Sequence, residues 1–160
     1  MEDSGYVGNP ARVRILEGVP EALTALADAG FERIVVTNQS GVARGMFGEL
    51  DVLAVNRALT NELARHGARI DAFYYCTHLN GCDCRKPQTG MILRALAERN
   101  ISLEGSVMFG DSAGDMGLAA NAGIPGILVN ELPRYAGPEP LHRARTLLDG
   151  VRFFLESVRA

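Results

Sequence analysis

The chain contains no tryptophan, only three cysteines and no excess of positive charge. Each scarcity removes a class of function. Lys and Arg number 16 against 19 Asp and Glu, a net charge of −3. Nucleic-acid binding usually needs a basic face, so no nucleic-acid partner is expected. No apolar stretch is long enough to span a membrane, so no membrane partner is expected either. The opening MEDSGYVGNP lacks the basic start and apolar run of a secretory signal, which points to the cytoplasm. Three cysteines are an odd number for a disulfide framework. All of them, Cys76, Cys82 and Cys84, fall within nine residues, and that clustering points to metal. Repeats, low-complexity tracts and linkers are also absent. A chain of 160 residues with 47% apolar content is read as one domain, residues 1–160, with a real core.

What is present alternates between two periodicities. Residues 21–30 carry Ala22, Leu23, Leu26 and Ala27 at helical spacing and end on Gly30. Residues 33–37 read as a short buried strand, 50–66 as an amphipathic helix closed by Gly67, and 70–75 as an aromatic strand. A helix over 91–99, a strand over 106–109, a helix over 115–122 closed by Gly123, a strand over 126–129 and a helix over 147–158 follow. This order predicts an α/β fold with a doubly wound, Rossmann-like parallel sheet. In such sheets ligands sit beyond the carboxyl ends of the strands. The polar motifs at 37–40, 76–86 and 111–115 all lie at such ends, so they should converge on one edge.

Four motifs carry chemistry. In Gly110-Asp111-Ser112-Ala113-Gly114-Asp115, two carboxylates straddle a strand end and a helix start. They suit Mg²⁺, which takes one or two carboxylates with phosphate and water. The same residues suit a plain loop with a capping Asp equally well. Thr37-Asn38-Gln39-Ser40 offers hydroxyl, amide and backbone donors to an anion, although an ordinary polar loop looks the same. Arg85 and Lys86 precede Pro87, which could open the following helix. A lysine there is a point charge suited to phosphate. The Cys76-x-His78 and Cys82-x-Cys84 pairs supply three sulfurs and an imidazole, a closed donor set for structural Zn²⁺. His66 and His142 have no such company and are given no role.

Together and in this order, these pieces resemble the haloacid-dehalogenase superfamily of phosphatases. Thr37 is similar to its second motif, Lys86 to its third, and Asp111 with Asp115 to its fourth. VVTNQSGVARGMF, the cysteine loop and CRKPQTGM resemble the D-glycero-D-manno-heptose 1,7-bisphosphate 7-phosphatase group, over nearly the whole chain. The histidinol-phosphate phosphatases have a similar loop. TNQSGVARG and the Gly-Met of RKPQTGM favour the heptose group. The resemblance implies a Mg²⁺-dependent phosphoric monoester hydrolase of carbohydrate metabolism, feeding lipopolysaccharide precursors, that acts as a monomer on a small sugar phosphate. It implies catalytic roles for Thr37 and Lys86, and Mg²⁺ on Asp111 with Asp115 in support. It also implies sugar or phosphate contacts from Asp3, Ser4, Gly5, Tyr6, Thr37, Asn38, Gln39, Ser40, Arg85 and Lys86.

One departure is large. The family opens on a strand ending in Asp-x-Asp-Gly, whose first Asp attacks phosphorus and whose second serves as acid and base. No Asp-x-Asp occurs in these 160 residues, and MEDSGYV resembles the segment just after that motif. Asp3 is no substitute, because no apolar strand precedes it. The expectation is a domain missing its first, central strand, through a misassigned start codon in preference to a real truncation. The 160 residues alone are expected to be inactive, with open strand edges prone to association. A non-catalytic sugar-phosphate-binding module is the alternative.

Overall fold

The computed structural model describes residues 8–129 and 135–159. Its strands are β1 (Ile34–Asn38), β2 (Ala72–Cys76), β3 (Met108–Gly110), β4 (Gly126–Val129) and β5 (His142–Ala144). Its helices are α1 (Val19–Asp28), α2 (Glu49–Arg65), α3 (Gly90–Glu98), α4 (Ala113–Ala122) and α5 (Leu147–Arg159), with one 3-10 turn at Pro10–Arg12. The periodicity located every helix and four strands within about two residues, the usual fuzziness of element ends. It missed the 3-10 turn and β5. Strand β5 holds only His142, Arg143 and Ala144, too few for an alternating pattern to show. Pro87 does not open α3, which starts at Gly90.

Every ladder is parallel, β1 with β2, β3 with β4, and β4 with β5. Successive strand residues face opposite sides of a sheet. A Cβ on Gly126 would meet Met116 and Ala119 of α4, whereas the next residue, Ile127, lies against Gly150 of α5. Helices α4 and α5 therefore cover opposite faces, as the doubly wound reading requires. The largest apolar cluster joins α1, α5, β4 and β5 through Ala22, Leu26, Ile127, Ala144, Val151, Phe154 and Leu155. Phe31 and Phe109 meet Phe154 edge-on, at centroid distances of 5.3 and 6.2 Å. A second cluster packs Tyr74 and Cys76 of β2 on Met91 and Ala95 of α3, with Cys82 and Cys84 against it.

Among the described residues the strands fall into two sheets, β1-β2 and β3-β4-β5. The Gln39 N–H bonds the Cys76 carbonyl with Asn38 opposite Cys76, so odd-numbered residues of β1 face β2 and Ile34 and Val36 face away. The Met108 N–H bonds the Pro125 carbonyl, so Phe109 likewise turns its peptide groups away from β4. These two edges have no ladder partner, and the apolar residues of β1 and β3 are only half-buried, whereas Gly126, Ile127 and Leu128 of β4 are buried. At the amino ends of β1 and β2, Asp71 accepts from the Arg33 backbone N–H at 2.8 Å and from its Nε at 2.7 Å. That pair holds the two strands in register.

Candidate active site

Lys86 stands at the centre of the carboxyl edge. Its side chain is 13% exposed, and Nζ donates to Asp115 Oδ1 at 2.6 Å and to the Val36 carbonyl at 3.1 Å. Val36 belongs to the outward-facing set of β1, so the ammonium lies on the open edge of that strand and ties it to α4. The Lys86 backbone is held as well, because its N–H donates to Asn38 Oδ1 at 3.0 Å. Thr37 sits between Val36 and Asn38, and its hydroxyl makes no hydrogen bond among the described residues.

Asp115 is buried, at 4% exposure, and both its oxygens are engaged. Oδ1 takes Lys86, and Oδ2 accepts from the N–H groups of Asp111 and Ser112 and from the Ser112 hydroxyl. The Ser112 hydroxyl in turn caps α4 by accepting from the Asp115 N–H at 3.2 Å. The motif is thus a capping box with Ser112, not an Asp, at the cap. Gly110 is required here. A Cβ on it would lie 2.2 Å from the Asp115 Cβ. Asp115 is thus bonded at both oxygens to the protein itself. Asp111 is exposed at the end of β3, and its carboxylate has no partner among the described residues. That is the donor a hard cation needs.

The cysteine loop brings Cys76, His78, Cys82 and Cys84 together, with all four donor atoms within 4.8 Å of one another. Sγ of Cys76 lies 3.6 Å from that of Cys82 and 2.9 Å from that of Cys84. His78 Nδ1 lies 3.5 Å from the Cys76 sulfur and 3.3 Å from that of Cys84. A tetrahedral ion with metal–sulfur bonds of about 2.3 Å spaces sulfurs about 3.7 Å apart, so these donors need little movement to hold one. The charges agree. Burial works against the Cys82 thiolate, but N–H donors from Arg85 and Cys84 outweigh it and bring that thiol down to about 7. Burial, then the nearby Cys76 and Cys82, push Cys84 up to about 12. A cation among the sulfurs would favour their charged forms.

The remaining candidates divide. Gln39 binds the Cys76 carbonyl through its backbone at 2.7 Å and sits at the site edge. Ser40 is only 4% exposed, packed away from the surface. Arg85 folds back over the cysteine loop, its Nη1 donating to the His78 carbonyl at 3.3 Å. Asp3, Ser4, Gly5 and Tyr6 lie outside the described residues. Residue-by-residue reading missed Asn121, whose Nδ2 donates to the Pro87 carbonyl at 2.9 Å from α4. An Asn in the last turn of a helix carries no signal of such a contact.

A HAD-hydrolase-like family model matches residues 83–131. The chain is 43% identical over 130 residues to the D-glycero-beta-D-manno-heptose-1,7-bisphosphate 7-phosphatase of Rhodopseudomonas palustris, covering 76% of this chain and 72% of that relative. It is 36% identical over 130 residues to the corresponding alpha-heptose enzyme of Campylobacter jejuni, covering 81% and 76%. The fold matches the crystal structure of the D,D-heptose 1,7-bisphosphate phosphatase from B. bronchiseptica, complexed with magnesium and phosphate. There the TM-score is 0.87 at 30% identity, covering 98% of this chain and 92% of that one. With the lysine, carboxylates and cysteine loop at the carboxyl ends of β1, β2 and β3, the chain belongs to the HAD-like family of heptose-1,7-bisphosphate 7-phosphatases.

Proposed function

We propose that this protein hydrolyses the 7-phosphate of a D-glycero-D-manno-heptose 1,7-bisphosphate and leaves the heptose 1-phosphate. The observation that carries this is Lys86, bonded to the Val36 carbonyl next to Thr37 in sequence and paired with Asp115, with the Asp111 carboxylate left without a partner among the described residues. The Lys86 ammonium and Thr37 hydroxyl stabilise charge on the transferring phosphoryl group. The amino end of α4, opening at Ser112, adds its positive dipole. Asp111 would hold Mg²⁺, which neutralises and orients phosphoryl oxygens when bound. Asp115 keeps Lys86 aimed and fixes the Asp111 backbone.

The nucleophile, in this reading, is the first Asp of an Asp-x-Asp-Gly strand that lies between β1 and β3, whose edges lack a ladder partner among the described residues. Attack by that carboxylate gives an aspartyl-phosphate and splits one hard displacement into two easier ones. The cysteine loop takes one structural Zn²⁺, which braces the segment carrying Arg85 and Lys86. Arg85, Gln39 and Asp3 to Tyr6 address the sugar or its second phosphate. The enzyme works as a cytoplasmic monomer on this small molecule. No helix of the described residues is long and apolar enough to cross a membrane.

The test compares phosphate release, with Mg²⁺, by the 160 residues and by a chain extended upstream through an Asp-x-Asp-Gly strand. Both heptose anomers and histidinol phosphate serve as substrates. Only the extended chain should turn over, with heptose bisphosphate preferred, and Lys86→Ala should cut kcat by about 100-fold or more. An extended chain without release, or indifferent to Lys86→Ala, sinks the proposal. One observation favours a second reading, a zinc-stapled sugar-phosphate-binding module: Asp-x-Asp does not occur among the 160 residues. Tight binding of the bisphosphate by every version of the chain, with hydrolysis by none, would select it.

A further inference from the structure

Both heteroatoms of the Asn38 side chain turn on the main chain of a single residue. Oδ1 accepts from the Lys86 N–H at 3.0 Å, and Nδ2 donates to the Lys86 carbonyl at 3.4 Å. The amide thus bonds the N–H and the C=O of that one residue, much as a neighbouring parallel strand would. The next carbonyl, that of Pro87, accepts from Asn121. The loop carrying Lys86 belongs to no strand or helix, so side chains supply the bonds that a ladder would otherwise give its half-buried peptides. The lysine is consequently fixed at both ends, its backbone by Asn38 and its tip by Val36 and Asp115.

We infer that Asn38 is a positioning residue for Lys86: its amide sets the Lys86 backbone, and it acts on substrate phosphate only through the lysine. This rests on the reading of Lys86 as a phosphate contact, and it replaces the direct substrate contact that the family resemblance implied for Asn38. The distinction has a physical basis. Asn38 ends β1 and is half-buried, and turning its amide toward a ligand would leave the Lys86 N–H without its acceptor. An unpaired buried donor is costly.

A double-mutant cycle decides it. Inorganic phosphate, with Mg²⁺, is titrated calorimetrically into the parent, Asn38→Ala, Lys86→Ala and the double variant, all shown to be folded by circular dichroism. Asn38→Ala should weaken phosphate about 10-fold in the parent background and less than about 2-fold beside Lys86→Ala, the coupling expected of two residues in contact. Equal loss in both backgrounds, or no loss in either, overturns the inference. Amide hydrogen exchange gives a second reading that needs no phosphate. The Lys86 amide should exchange at least about 10-fold faster in Asn38→Ala, and an unchanged rate overturns the inference. If Lys86→Ala leaves phosphate affinity intact, the phosphatase reading fails, and the exchange rate still judges the Asn38–Lys86 contact. Asn38→Ser carries the same measurements if Asn38→Ala does not fold.

Discussion

The Lys86–Asp115 pair sits in a place where one missing charge is felt at once. The two side chains are 13% and 6% exposed, so water cannot replace a lost partner. Removing one half of such a pair strands the other, at about 3–5 kcal/mol. Asp115→Asn should lower the free energy of urea unfolding by roughly that much. Asp115→Asn with parental stability would mean that Lys86 does not depend on this carboxylate. Cys82 carries a different prediction. Even losing a hydrogen-bond partner of a metal ligand weakens binding by about 10-fold, so Cys82→Ser should lower zinc content and affinity by at least that. Elemental analysis of freshly purified parent and variant checks it. Chelation of the parent should reproduce the effect, and both should lower activity in the extended chain although zinc touches no substrate. A parent free of zinc would make Cys76 an ordinary buried thiol and Cys82 and Cys84 ordinary half-buried ones.

Elements place these residues. Helix α4 begins under Lys86 because Ser112 and Asp115 cap each other, and Gly110 leaves room for the Asp115 side chain beside the strand end. Gly110→Ala would drive a methyl group to 2.2 Å from the Asp115 Cβ. It should cost about 1–3 kcal/mol in denaturant melts and displace the carboxylate from Lys86. Parental stability in that variant would show that the strand end and helix can part freely. At the other end of β1, the Arg33–Asp71 bond locks the register that brings Thr37 and Asn38 opposite Tyr75 and Cys76. Burial works against the charged Asp71 carboxylate, but the Arg33 backbone N–H and guanidinium, with Arg69, outweigh it and hold Asp71 below its ordinary 3.8. A lowered carboxylate stabilises the fold fully above 3.8, and that stability is lost as pH falls through the folded value. The stability gap between parent and Asp71→Asn should therefore be wide at neutral pH and narrow in acid below 3.8. A gap that does not change with pH would deny the ion pair its role.

At the scale of the molecule, the described residues form two parallel sheets, and Lys86 links β1 to α4 between them. The peptide groups of Ile34, Val36 and Phe109 point to the unpartnered side. Amide exchange in dilute solution should alternate along β1, fast at Ile34 and Val36 and slow at Val35 and Thr37. Open edges with apolar faces recruit other strands. Protection of Val36 and Phe109 should rise with protein concentration, together with dimerisation by sedimentation. Uniform protection at the lowest concentration, without association, would show that these edges are already filled.

Local patterns determined much of this protein. Periods of 3.6 and 2 located the helices and four of the strands, because each element buries one face against a neighbour. The cysteine loop was legible because its donors lie close in sequence, so chain geometry alone brings them together. The GDSAGD motif was legible only as a choice between metal and cap. The fold shows Asp115 capping α4 and pairing with Lys86, and leaves the Asp111 carboxylate without a partner among the described residues, because that division depends on which carboxylate is buried. Strand β5, the Arg33–Asp71 clamp and the grip of Asn38 and Asn121 on the Lys86 loop join residues from different segments. No local period encodes them. Tertiary packing alone decides them, because a peptide group taken out of water bonds to whatever polar atom the fold brings within reach.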